Sequence, residues 1–192
     1  APFTWPKLPE ARQAIVCAGA TSIEECARNP EGTRKVNVLN TLALLQRLSR
    51  AGVFTVFLST NLVFDGKEPS PNEDAPVSPA NEYARQKVKV EQVLQSLDPR
   101  PAILRLTKVV SRENSLFRNW RTSLEKGLCI QPLKDLLFAP VSMEATVSAI
   151  SEIASRGRGG IWHFSGQDIS YAEACLQLAN RMEVSGNLVQ PA

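Results

Sequence analysis

Val53-Phe54-Thr55-Val56-Phe57-Leu58-Ser59-Thr60-Asn61 opens the stretch that decides the fold, and Tyr83-Ala84-Arg85-Gln86-Lys87 closes it. The run from Val53 to Leu58 is apolar or β-branched, follows Gly52 and empties into polar residues. It reads as a strand buried on both faces of a parallel sheet. Open α/β sheets bind ligands beyond the carboxyl ends of such strands, so Ser59, Thr60 and Asn61 stand where a site is expected. Tyr83 and Lys87 lie four apart in a segment of helical pattern and project from one face, about one turn apart. A hydroxyl at a strand end with a Tyr/Lys pair on the next helix forms a proton-transfer constellation.

Working outward, the first twelve residues, with Pro2, Pro6 and Pro9, read as a loop. Residues 14–18 read as a buried strand ending in Gly19-Ala20. After a short polar stretch, Asn29 caps a helix with Pro30 at its first position, and Val36, Leu39, Ala43, Leu44 and Leu48 recur at helical spacing until Gly52. Strand, helix, strand implies a right-handed parallel crossover. Beyond residue 64, a loop of some twenty residues carries Pro69, Pro71, Pro76 and Pro79, long enough to suggest function. The pattern predicts a helix over 81–97, a strand over 102–106, a helix over 116–126, a short strand at 136–138, a helix over 142–155, a strand over 161–165 and a capping box at Ser170 to Glu173. The alternation argues for an α/β sheet.

With 43% hydrophobic and 21% charged residues, composition is that of a globular domain. A net charge of +3, with Lys and Arg dispersed, does not point to nucleic acid. No apolar run approaches the roughly 20 residues of a membrane span, and the amino terminus lacks the pattern of a signal peptide, so a cytoplasmic location is expected. Cys17, Cys26, Cys129 and Cys175 are scattered and read as reduced thiols, with Cys17 in a buried strand. The single histidine, His163, reads as a strand residue with a structural hydrogen bond, and no metal site is expected. Asn37 is expected to bond a neighbouring backbone group, and Arg105 a buried acceptor.

Taken in order, residues 16–20, Val36-Asn37-Val38, residues 58–66, Tyr83 to Lys87, Leu104-Arg105 and residues 160–166 resemble an extended short-chain dehydrogenase/reductase, in the dTDP-4-dehydrorhamnose reductase group. The resemblance implies a partial Rossmann-like parallel sheet with flanking helices plus a small C-terminal substrate-domain portion. Residues 1–110 would form the C-terminal half of the dinucleotide-binding domain, and residues 111–192 a mixed substrate-binding portion with returning Rossmann elements. The family's Gly-x-x-Gly-x-x-Gly turn has no counterpart among the ten glycines. The chain is therefore expected to be a fragment of a longer reductase, rather than a natural short form, and inactive alone.

By that resemblance Tyr83 is the general acid, Lys87 together with a positively charged oxidised nicotinamide favours its phenolate, Lys87 also holds ribose hydroxyls, and Thr60 hydrogen-bonds the substrate carbonyl. Ala18, Gly19, Ala20 and Ser59 join Tyr83 and Lys87 in binding NADP(H) or NAD(H). Asn61, Val63 and Lys108 would meet a nucleotide-sugar substrate. Asn61 replaces the group's usual Asp and Lys108 a usual aromatic residue, so the choice of sugar stays open. A homodimer or a partner enzyme subunit is the expected assembly. Two other readings stand beside the 4-keto sugar reductase: a non-catalytic subunit like the methionine adenosyltransferase beta subunit, and a nucleotide-sugar epimerase or dehydratase.

Overall fold

The computed structural model describes residues 6–7, 9–98, 100–111 and 113–192. Within the expected N-terminal loop, residues 1–5 and 8 lie outside this set, and the rest of that segment has no regular structure. Strand β1 (Gln13–Val16) is followed by helix α1 (Ile23–Arg28), where the sequence reading expected only a polar stretch. Ser22 caps α1 through its side chain, and two acidic residues in the first turn suit the helix dipole. Asn29 caps α2 (Pro30–Arg34), which continues through a π-helical segment, Lys35–Asn40, into α3 (Thr41–Arg50). Strand β2 (Phe54–Thr60) follows, then helix α4 (Glu82–Leu94), capped by Asn81, and strand β3 (Ala102–Leu106). The remaining elements are β4 (Lys108–Val110), α5 (Ser115–Glu125), β5 (Leu137–Phe138), β6 (Pro140–Ser142), α6 (Met143–Arg156), β7 (Gly160–Phe164), β8 (Ile169–Ser170) and α7 (Tyr171–Arg181).

The chain divides into two compact units. The first contains the residues up to Leu106 together with Val147–Phe164. Its sheet is wholly parallel in the order β1-β2-β3-β7, with Phe57 opposite Ile103 and Arg105 opposite His163. Every residue of β3 is buried, as suits a central strand that is apolar except for Arg105. Val38, Leu45, Leu48, Phe57, Val90, Leu94 and Ile103 form the core between the sheet and the helices α3 and α4. Phe57, Leu45, Leu94 and Ile103 are at most 1% exposed, and each contributes about 2 kcal/mol of hydrophobic stabilisation.

Strand β1 departs from expectation. It stops at Val16 and forms an edge of the described sheet, with Ile15 48% exposed. Cys17 consequently lies past the strand end and is exposed instead of buried, whereas Cys26 and Cys175 are buried thiols.

The second unit contains Thr107–Thr146 and Ser165–Ala192. Here β4 pairs in parallel with β6, and β5 pairs antiparallel with β8. Pro140 is the first residue of β6, a position where its missing N–H is tolerated. Trp120, Leu124, Ile130, Cys175, Ala179 and Val189 form its core, and Phe117, Trp120, Phe138 and Tyr171 stack around it. Among the described residues, no helix is long and apolar enough to cross a membrane.

Candidate active site

The carboxyl end of β2 commits three consecutive residues to different partners. The Leu58 carbonyl accepts from Lys87 Nζ at 2.8 Å, the Ser59 hydroxyl donates to Glu91, and Thr60 Oγ1 accepts from the Leu62 amide at 3.2 Å. Because Oγ1 is used as an acceptor, the Thr60 hydroxyl proton can still be donated. Lys87 and Glu91 lie on the same stripe of α4 as Tyr83, at successive turns. Lys87 Nζ sits 4.6 Å from the Phe57 ring centroid and 5.8 Å from that of Tyr83.

Burial acts on both members of the Tyr/Lys pair. It pulls Lys87 down to about 8, against the opposing influence of Glu91 and Cys17. Burial also pushes the Tyr83 phenol above its ordinary value, with Cys26 adding to the rise. Desolvation thus sets the direction of the Tyr83 shift in this structure, and the lowering expected from Lys87 together with an oxidised nicotinamide belongs to the ligand-bound site. A phenol held protonated is a proton donor in waiting, and its acidity has to come from positive charge arriving with ligands.

The small-residue loop is held from below. Asn37, 4% exposed within the π-helical segment, accepts from the Ala20 amide at 2.7 Å and donates to the Ala20 carbonyl at 2.9 Å. Its amide also donates to Gln86 Oε1 at 2.8 Å, and Gln86 in turn donates to Thr33 and Glu82. A Cβ on Gly19 would come within 3.1 Å of Asn37 Oδ1, so a small residue is needed there. Ala18 and Gly19 are exposed and Ala20 half-buried, leaving backbone edges open to a ligand. π-Helical insertions recur at functional sites, and this one turns Asn37 toward the loop.

Behind the strand end lies a buried charge network. Arg105 and Glu91, 3% and 2% exposed, pair at 2.7 Å. Arg105 Nη1 also contacts His163 Nε2 at 3.2 Å, and the His163 amide donates to Glu73 of the long loop at 3.2 Å. Burial holds His163 below its ordinary value, while Glu73 opposes the shift. The expectations for Arg105, His163 and Asn37 agree with these bonds.

The remaining predicted residues fall differently. Asn61 is exposed, but Val63 is fully buried, so its side chain offers no surface to a sugar and that expected contact is withdrawn. Ser59 is buried with its hydroxyl turned to Glu91, which reserves it for the protein interior. Lys108, exposed, begins β4 in the second unit. Glu91 and Gln86 went unnoticed in sequence. The spacing Tyr83, Lys87, Glu91 was the available signal for Glu91.

Comparison with known proteins gives concordant results. The chain is 30% identical over 161 residues to the dTDP-4-dehydrorhamnose reductase of Sinorhizobium fredii, covering 79% of this chain and 54% of that relative. It is 27% identical to the probable low-salt glycan biosynthesis reductase Agl14 of Haloferax volcanii, over 80% of this chain and 53% of that relative. The chain thus spans about half the length of the curated relatives it matches. The dTDP-4-dehydrorhamnose reductase of Bacillus anthracis, solved in complex with NADP, superimposes with a TM-score of 0.88 at 20% identity, covering 94% of this chain and 65% of that one. That likeness establishes the Rossmann-like fold. Residues 8–192 match the RmlD substrate binding domain family. With a match over nearly its whole length, the chain belongs to that family.

Proposed function

We propose that this chain is part of an NAD(P)H-dependent reductase of a nucleotide-activated 4-keto sugar, similar to dTDP-4-dehydrorhamnose reductase, acting in the cytoplasm. The observation that carries the reading is Thr60, Tyr83 and Lys87 gathered by the end of β2 and one face of α4. Both relatives above are named as reductases of this kind or of glycan biosynthesis. A structural neighbour from Pseudomonas aeruginosa, 23% identical with a TM-score of 0.81, was solved with NADPH.

The residues present fit a nicotinamide dinucleotide at the open loop Ala18 to Ala20, whose small side chains and exposed backbone admit close approach. Bound there, a reduced nicotinamide would supply hydride to the carbonyl carbon. Thr60 donates to the carbonyl oxygen, where negative charge develops. Tyr83 then delivers its phenolic proton to that oxygen. Lys87 has three donors, of which the Leu58 carbonyl takes one, and the others are available to sugar or ribose hydroxyls. Its ammonium stabilises the phenolate that Tyr83 leaves behind. Asn61 and Lys108 are the proposed contacts to the nucleotide sugar.

In the full-length protein, Tyr83→Phe should lower kcat for a dTDP-4-keto-6-deoxyhexose by roughly a hundredfold or more. Unchanged turnover would refute the assignment. A wild-type protein that co-purifies stoichiometrically with another enzyme and turns over no ketone would favour the regulatory-subunit reading instead.

A further inference from the structure

Helix α4 is bound to the end of β2 at two successive turns. Lys87 reaches the Leu58 carbonyl, and one turn later Glu91 receives the Ser59 hydroxyl. Glu91 is itself fixed by Arg105 of β3, whose Nε and Nη2 both donate to it. A carboxylate only 2% exposed does not stay charged without such partners. It therefore marks a position where the fold maintains a negative charge at the cost of burying it. The nearest functional group along the helix is Lys87, one turn toward the amino terminus.

We propose that Glu91 is the positioning residue of the Tyr83–Lys87 pair, locking α4 in register with the end of β2 and supplying the buried negative charge that keeps Lys87 an ammonium. The inference rests on the reading of Tyr83 and Lys87 as the proton-transfer pair. Its geometric content is that the Ser59–Glu91 bond ties α4 to the end of β2 one turn beyond the tie from Lys87 to the Leu58 carbonyl. Its electrostatic content is consistent with burial dragging Lys87 down while Glu91 holds it up. The groups facing Lys87 are Tyr83 and Glu91 on its own helix, Cys17 after β1, and the Leu58 carbonyl on β2, with Arg105 behind Glu91. Glu91 and Cys17 are the groups among these that favour the charged lysine, and only Glu91 is buried with it.

The test is the titration of Lys87 itself, followed by NMR of side-chain-labelled lysine, with Lys87→Met identifying the resonance. This readout needs no turnover, so it can fail while the reductase reading survives, and the reverse. Glu91→Gln should lower the Lys87 midpoint by about one pH unit, and Glu91→Asp, which keeps the charge, should restore most of it. A midpoint that is the same in wild type and Glu91→Gln would overturn the proposal. Should Glu91→Gln fail to fold because Arg105 is left unpaired, the pair Glu91→Gln with Arg105→Met removes both charges; loss of the cation offsets part of the loss of the anion, so a smaller downward shift is expected, and an unmoved or raised midpoint would overturn the proposal. In the full-length protein, Glu91→Gln should also move the alkaline limb of the kcat profile downward by the same interval, and an unmoved limb would count against it.

Discussion

Replacing Lys87 with methionine should erase a pH dependence of stability that the wild-type chain carries. Lys87 is 7% exposed, and burial takes the group from 10.5 to about 8. Between those values the unfolded chain holds a proton at this lysine that the folded chain has released, so stability rises with pH across that window. Below the folded value both states are charged, and the cost of burying the ammonium stands in full, about 3 kcal/mol for a shift of this size. Raising the pH from about 7 to about 9.5 should recover roughly 2 kcal/mol of that cost. The methionine keeps an apolar stem against Phe57 but deprives the Leu58 carbonyl of its donor, a loss of about 1 kcal/mol. Near neutrality the variant should therefore be more stable by about 2 kcal/mol, and the two proteins should converge near pH 9.5. Urea unfolding of both proteins in parallel, in half-unit pH steps, isolates this group because other titrations cancel in the difference. A stability difference that stays flat within about 0.5 kcal/mol over the range would refute the buried-ammonium account.

Three further outcomes follow from particular contacts. Asn37→Ala removes both bonds to Ala20 and the one to Gln86, and should cost about 2 kcal/mol in urea unfolding. It should also speed hydrogen exchange at the Ala20 amide, and an unchanged exchange rate would contradict the tethering of this loop. Arg105→Met leaves Glu91 charged and poorly paired in the interior, so a loss of about 3 to 5 kcal/mol is expected, with much of it returned when Glu91→Gln is added. Equal thermal midpoints for the single and double variants would argue against that penalty. Gly159→Ala would drive its Cβ into the Arg100 carbonyl and should cost about 2 to 3 kcal/mol by thermal denaturation, where a neutral result would show that the turn before β7 relaxes freely.

The strand run of residues 53–58, the helix bearing Tyr83 and Lys87, and the strand of residues 102–106 were legible because each is locally self-consistent in period, caps and composition. Helix α1 was missed because Ile23 to Arg28 carries one strong apolar residue per face and is fixed by Ser22 and by contact with α4. The edge position of β1 was equally hidden, since an apolar strand looks the same at an edge as at a centre.

Sequence alone determined the alternation of strands and helices, the placing of hydroxyls at a strand end, and Tyr83 above Lys87 on one face, because those depend on spacings within a few turns of chain. Tertiary structure alone decided the charge states and the partners. Tyr83 is raised because desolvation depends on what packs around it. Ser59 turns inward because Glu91, 32 residues later, waits beneath it. Val63 leaves the site because it is fully enclosed. Burial and long-range pairing are properties of three-dimensional neighbours, and no local spacing encodes them.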